Sequence, residues 1–268
     1  MFAKNLYQGK IVFVTGGRSG IGYAIAKQLL ELGAKVIIAS RKEEPLAKAA
    51  QALSVYGECL YKTCDIRKTE EIKAVAEMIK AEYGRLDILV NNAGGQFPTL
   101  AKNLNERGWN AVINNNLNGT FYVTREMANT FFIPQNEGII INIIADIFRG
   151  FPGMIHTGAA RAGVENMTKT LALEWAEYNI RINAIAPGTI ESSGLKTYPS
   201  EVQDMFKEGH KDIPLQRYGT VEDIANATSF LASDLASYIS GITLYVDGAS
   251  HLNTNKIGFV EVLKSMQK

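Results

Sequence analysis

The sequence predicts an α/β protein built on a doubly wound parallel sheet, and three observations predict it. Short, β-branched apolar runs alternate with segments of helical apolar spacing along the whole chain. Those runs are apolar enough to be covered on both faces, as parallel strands between two helical layers must be. No linker rich in Pro, Gly or Ser, no repeat and no low-complexity segment divides the chain, so residues 1–268 read as a single domain with a tail at 251–268.

The elements follow in order. Lys10–Thr15 (KIVFVT) is a buried strand stopped by Gly16-Gly17. From Gly20 to Leu32, Ile21, Ala24, Ile25, Leu29 and Leu32 recur at helical spacing, and Gly33 follows as a stop. Lys35–Ala39 is a strand, Glu43–Leu53 a helix and Glu58–Thr63 a weaker strand. Thr69–Tyr83 is a helix whose first turn is acidic, which suits the positive end of its dipole. Leu86–Val90 is the fourth strand, and helical patterns follow over Asn105–Val112 and Thr120–Phe132. Gly138–Ile143 is a strand, His156 to Tyr178 a long amphipathic helix and Ile180–Ala186 a strand ended by Pro187-Gly188. The stretch Ser192–Pro214 is irregular and mixed in polarity and reads as a substrate lid. A helix over Val221–Ala232 and a strand over Ile242–Val246 complete the series. Ligands of such sheets bind beyond the carboxyl ends of the strands.

Composition removes whole classes of function. With 46% apolar and 21% charged residues the chain is neither disordered nor fibrous. Its 28 basic and 27 acidic residues leave a net charge of +1, which gives no electrostatic case for nucleic acid. Cys59 and Cys64 are the only cysteines and are expected as reduced thiols; no Cys/His spacing suggests a metal. Met1–Lys10 has no apolar stretch behind its charges, and runs such as Gly138–Ile144 are too short to span a bilayer. The expectation is a cytoplasmic protein with no membrane span.

The first functional signal is Thr15-Gly16-Gly17-Arg18-Ser19-Gly20-Ile21-Gly22, where the first strand turns into the first helix. Glycines there let the backbone turn tightly and let a pyrophosphate approach the helix N-terminus, whose free N–H groups favour an anion. This is the loop of a Rossmann-type dinucleotide fold. An NAD site needs a carboxylate at the end of the second strand for the ribose hydroxyls. Ala39-Ser40-Arg41-Lys42 stands there instead, with no acid before Glu43. Arg41, with Ser40, Lys42 and the nearby Arg18, suits a 2′-phosphate, so NADPH is expected over NADH, which remains possible.

The spacing Gly-x-x-x-Gly-x-Gly after Thr15, together with Asn91-Asn92-Ala93-Gly94, resembles the short-chain dehydrogenase/reductase family. Cys64-Asp65-Ile66, Asn116-Leu117-x-Gly119, Pro187-Gly188 and Val246-Asp247-Gly248 match in the same order. The resemblance implies that Asp65 and Ile66 flank the adenine, that Asn92, Ala93 and Gly94 line the ribose, and that Pro187, Gly188, Thr189 and Ile190 meet the nicotinamide amide. It also implies a homotetramer in which the two long helices pair across a twofold axis, with the last strand and tail at a second contact.

The catalytic positions depart from the family. Its Ser, Tyr and Lys are replaced by Ile144, Thr157 and Arg161, while Asn116 matches the family Asn. A Thr hydroxyl cannot take the acid–base part of a phenol, so ordinary ketone–alcohol exchange lacks its proton donor. The run His156–Lys169, with Gly94-Gly95-Gln96-Phe97 and Leu171–Ala176, is similar to the peroxisomal trans-2-enoyl-CoA reductases and their bacterial relatives. Reduction of an enoyl thioester needs donors aimed at a developing enolate oxygen, a part open to Arg161 and Asn116, which could equally position the ribose. At the Glu165 position, relatives carry Tyr or, in dienoyl-CoA reductases, Asp, with acid–base duty. Glu165 lies one turn beyond Arg161, so the two read either as a functional pair or as a surface ion pair worth ~0.3–0.5 kcal/mol.

Asp146 and His156 flank the mouth after the fifth strand and could shuttle a proton. Trp175 and Tyr178 read as core or oligomer contacts. Arg149, Lys196 and Lys211 are candidates for a coenzyme A diphosphate. The chain ends Met-Gln-Lys, which is not the Ser-Lys-Leu peroxisomal address. Three functions remain open: reduction of an enoyl- or dienoyl-CoA, oxidation of long-chain or terpenoid alcohols in the manner of citronellol dehydrogenases, and dinucleotide binding without catalysis.

Overall fold

The computed structural model describes residues 2–191 and 209–253. The bulk of the expected lid, with Lys196, and the tail from residue 254 onward lie outside the described residues.

The strands are β1 (Ile11–Thr15), β2 (Lys35–Ser40), β3 (Cys59–Thr63), β4 (Ile88–Asn91), β5 (Gly138–Ile143) and β6 (Ile180–Pro187). After a short pair, β7 (Ile190–Glu191) and β8 (Gly219–Thr220), comes β9 (Thr243–Val246). Seven strands form one sheet in the order β3-β2-β1-β4-β5-β6-β9, and every pairing in it is parallel. The order reverses between β1 and β4, which places a ligand crevice beyond their carboxyl ends.

Strand side chains alternate between two layers, as period-two geometry requires. Val12, Val14, Val36, Ile38, Val90 and Ile141 face α1 (Gly20–Glu31), α2 (Glu43–Leu53) and the late helix α8 (Val221–Leu231). Phe13, Ile37, Leu89, Ile140 and Ile182 face the other layer. That layer is α3 (Thr69–Tyr83), α4 (Glu106–Ile113), α5 (Gly119–Met127), the short α6 (Ile133–Gln135) and the long α7 (Ile155–Glu174). Trp175 and Tyr178 pack against this second core, in agreement with the sequence reading. Cys59 and Cys64 are unpaired, and burial pushes both thiols up to about 12.

Two differences from the sequence reading have physical causes. The two helical patterns of the fourth crossover are one continuous helical path. Wide π turns at Asn114–Asn118 and Ala128–Phe132 each slip the apolar period, so the pattern looks broken where the helix is not. The long helix stops at Glu174, and a 3₁₀ turn over Ala176–Tyr178 carries the chain to Asn179, which is left-handed at φ 54°. The short β7–β8 pair carries no periodic signal at two residues per strand.

Candidate active site

The crevice between β1 and β4 is closed by Thr15 and Asn92. Thr15 Oγ1 accepts the backbone N–H groups of Asn92 and Ala93, each at 3.0 Å. Asn92 Nδ2 donates to the carbonyls of Thr15 at 3.0 Å and Gly16 at 3.2 Å. A Cβ on Gly22 would stand 2.3 Å from Asn92 Nδ2 and 2.6 Å from the Gly16 carbonyl oxygen, so only glycine lets α1 approach this clasp. Ser19 precedes α1 in an extended conformation, and its side chain caps no N–H. The first N–H groups of the helix are thereby left to a ligand. Arg18 is exposed beside them, and Gly20 and Ile21 begin the helix.

At the end of β2, Ser40 Oγ is buried with no hydrogen-bond partner. The next residue, Arg41, lines a cleft of about 480 Å³ together with Glu43, Lys62, Thr63, Glu71 and Ala74. Asp65 is already engaged: Arg67 Nε donates to Oδ1 at 2.8 Å, and these bonds hold the Asp65 carboxyl below the usual range. Glu71 takes the Asp65 N–H at 2.7 Å and Lys68 Nζ at 2.8 Å. Among the described residues Arg41 and Lys62 have no ion pair. Lys42 precedes α2 in an extended conformation. Lys62 was not singled out from the sequence; the signal was its place in β3, in parallel register with Ala39 beside Ser40. Ile66 packs against the backbone at Gly119, where an added Cβ would meet it at 2.8 Å. The orphaned Ser40 hydroxyl, the uncapped helix start and the glycine-lined crevice fit a dinucleotide with a charged adenosine end.

At the reaction end, Asn116 sits in the first π turn and is fully buried. Its Oδ1 accepts Gly95 N–H and its Nδ2 donates to the Gly95 carbonyl, both at 2.9 Å. The amide is thus spent on fastening the loop after β4. Arg161 projects from α7 under that loop and is buried at 9% exposure. A Cβ on Gly94 would stand 2.4 Å from Arg161 Nη2 and 3.1 Å from Asn116 Oδ1. No carboxylate among the described residues pairs with Arg161. Burial lowers its pKa to about 10, so it remains a cation at neutral pH.

The expected partnership of Arg161 with Glu165 is not formed. Glu165 accepts Lys169 Nζ at 2.8 Å, because a group one turn away in each direction can choose either neighbour and Lys169 is the exposed one. Thr157 is fully buried at the place of the family Tyr. His156 is also fully buried rather than at the rim; its Nδ1 accepts Thr157 N–H at 2.8 Å, and burial lowers its pKa. Its Nε2 has no hydrogen-bond partner, and the ring meets that of Phe97 edge-on, 4.6 Å between centroids.

Ile144 is buried after β5, and Asp146 N–H then donates to the Pro187 carbonyl at 2.9 Å. Gly188 passes so close to Asp247 that an added Cβ would stand 2.7 Å away, and Thr189 and Ile190 continue into β7. Asp247 accepts His251 Nδ1 at 2.7 Å. Arg149 Nε donates to the His251 carbonyl at 2.8 Å, so it is tied to this turn. Lys211 lies in a 3₁₀ turn, Gly209–Asp212.

Comparison with known proteins decides the family. The family profile described as Enoyl-(Acyl carrier protein) reductase matches residues 16–251. The chain belongs to the short-chain dehydrogenase/reductase family. It is 40% identical, over 91% of its length and 97% of the relative's, to a probable 2,4-dienoyl-CoA reductase of Bacillus subtilis. It is 38% identical, over 96% of its length and 89% of the relative's, to the peroxisomal 2,4-dienoyl-CoA reductase of Rattus norvegicus. Among solved structures it resembles the citronellol catabolism dehydrogenase of Pseudomonas aeruginosa, at 39% identity and a TM-score of 0.84 over 94% of this chain and 98% of that one. The protein is therefore an oxidoreductase of this family, and among the described residues no helix is long and apolar enough to cross a membrane.

Proposed function

We propose that the protein reduces the C=C bond of a trans-2-enoyl- or 2,4-dienoyl-CoA with NADPH. The observation that carries this reading is Arg161, a buried cation with no acid partner, in a site where Thr157 and Ile144 replace the usual phenol and serine. A buried unpaired charge is costly to keep, so it is retained for a ligand that develops negative charge beside it. An enolate oxygen is such a group, whereas a ketone reduced with a phenolic donor has no need of it. The relatives' names, 2,4-dienoyl-CoA reductases, support the same substrate class.

NADPH supplies the hydride when bound. Thr15, Gly16, Ser19, Gly20, Ile21, Gly22 and Asn92 to Gly94 would hold its diphosphate and ribose, and Asp65 and Ile66 would border its adenine. Ser40, Arg41, Lys62 and Arg18 would hold the 2′-phosphate, with Lys42 near by; Pro187 to Ile190 would border the nicotinamide. Arg161 orients and stabilises the thioester oxygen, and Asn116 keeps the loop over Arg161 by gripping Gly95. Asp146, in the loop after β5, and Glu165, beside Tyr245, are acid–base candidates, and His156 holds a buried ring nitrogen without a hydrogen-bond partner.

Exposed Phe121 on α5 and Leu173 on α7 support pairing of these helices between subunits of a homotetramer. The test of the reading is NADPH oxidation against a panel of enoyl, dienoyl and 3-oxoacyl thioesters and terpenoid alcohols. Turnover of conjugated thioesters is expected. Activity confined to 3-oxoacyl thioesters or alcohols contradicts it, and tight NADPH binding without any turnover favours a binding protein.

A further inference from the structure

The reductase reading leaves the proton unassigned, since Thr157 is no acid and Glu165 is paired with Lys169. The geometry points to Asp247 and His251, in the turn after β9, as the acid–base dyad that supplies the proton at the reaction edge of the sheet. This rests on the C=C reductase reading.

Asp247 is buried and accepts three bonds: Ala249 N–H at 3.0 Å, His251 N–H at 2.6 Å and His251 Nδ1 at 2.7 Å. With Nδ1 held by the carboxylate, Nε2 is the nitrogen left to exchange protons, the same division of labour as in an Asp–His pair that serves acid–base catalysis. The ring is fixed in place. It stacks on Tyr245 at 4.3 Å and 21°, and Phe148 meets it edge-on at 5.6 Å. Arg149 Nε grips its carbonyl from the loop after β5. Asp146, on that loop, feels both Asp247 and His251, and burial pushes its pKa up. Across Tyr245 lies Glu165, whose charge, with those of Asp146 and Asp247, adds to burial in raising the phenol. Asp146, Arg149 and Tyr245 therefore face the dyad, with Glu165 beyond Tyr245, and the 3₁₀ turn with Lys211 and Asp212 packs on the same segment, where Asn253 Nδ2 donates to the Asp212 carbonyl at 2.8 Å. Gly188, after β6, runs against Asp247 itself, so the dyad adjoins a segment expected at the nicotinamide.

In the step, hydride addition forms one C–H bond and breaks the conjugated π bond, whose electron pair moves to the thioester oxygen beside Arg161. The enolate then returns that pair to carbon and forms a second C–H bond with a proton from the His251 imidazolium, passed through water. Water returns a proton to Nε2, and Asp247 keeps its hold on Nδ1 throughout.

The test compares wild-type protein, His251→Phe and His251→Ala, with NADPH and a 2,4-dienoyl-CoA. His251→Phe keeps an aromatic ring on Tyr245 and the backbone N–H bonds to Asp247 but carries no proton; kcat should fall by about 10²-fold, with NADPH affinity retained. His251→Ala should fall likewise and recover in part with added imidazole. Wild-type turnover with an undiminished His251→Phe variant overturns the dyad alone. So does a folded, NADPH-binding His251→Ala variant that imidazole does not rescue. Absence of dienoyl turnover in the wild-type protein overturns the reductase reading, and the dyad with it.

Discussion

Arg161 is held at a cost to stability, and that cost makes its purpose measurable. A guanidinium this deeply buried without a carboxylate is destabilising, so Arg161→Met should raise Tm or leave it unchanged. The same change should lower kcat/KM for a conjugated thioester by about 10²–10³-fold, the scale of losing one oxyanion donor. A fall in both stability and activity would point to a structural part for Arg161. At the other end of the crevice, Arg41→Ala should weaken NADPH binding by roughly one to two decades, from loss of a charge-assisted contact of ~1.5–3 kcal/mol. Lys62→Ala should weaken it in the same direction, and NADH binding should barely move for either. Equal losses for both cofactors, read by fluorescence titration, would reject the 2′-phosphate assignment. The sequence showed Arg41 and Arg161 through their positions in motifs. It hid Lys62, because its part depends on the register of β3 against β2. It also hid the choice Glu165 makes between Arg161 and Lys169, because helical spacing permits both.

Elements were legible wherever a period of two or of 3.6 ran unbroken. The bounds of α2, α3 and β5 agree with the sequence reading, and the other six strands of the sheet differ from theirs by one or two residues at their ends. The path from Glu106 to Gln135 was legible only as two pieces, since each π turn adds a residue to the repeat. The first of these turns carries Asn116, so the irregularity hidden in the pattern is the feature that aims a side chain at Gly95. Helix α8 offers a test at this scale. Thr220 Oγ1 accepts Asp223 N–H at 3.2 Å while Asp223 Oδ2 accepts Thr220 N–H at 2.8 Å, a reciprocal cap. Thr220→Ala should cost about 1 kcal/mol in urea denaturation. Arg217 holds the Asp223 carboxyl below its usual pKa. A depressed folded-state pKa means that this contribution is complete above the ordinary carboxylate range and is lost as pH falls through the lowered value. A Tm profile for Asp223→Asn should therefore lack that share of the acid decline; one parallel to wild type throughout would show that the carboxylate is unimportant to the helix.

At the scale of the whole molecule, a parallel sheet gathers the ends of β1, β4, β5, β6 and β9 along one edge, and the groups with chemistry lie there. Thr15, Asn92, Asp146, Pro187 and Asp247 all follow or end strands of that edge. The sequence predicted that edge from alternation alone, yet could not show that the turn after β9 lies against the loop after β5, since residues 149 and 251 meet only through the fold. Light scattering should give a tetramer mass at micromolar concentration, and a monomer there would remove the proposed pairing of α5 with α7. The central claim, reduction of a conjugated C=C bond by a site without the family phenol, is tested most directly by stopped NADPH oxidation with product analysis. With 2,4-dienoyl-CoA and 3-oxoacyl-CoA of equal chain length, the dienoyl thioester should be reduced to an enoyl thioester and the 3-oxo group left intact. Formation of a 3-hydroxyacyl thioester, with the dienoyl substrate recovered unchanged, would contradict it.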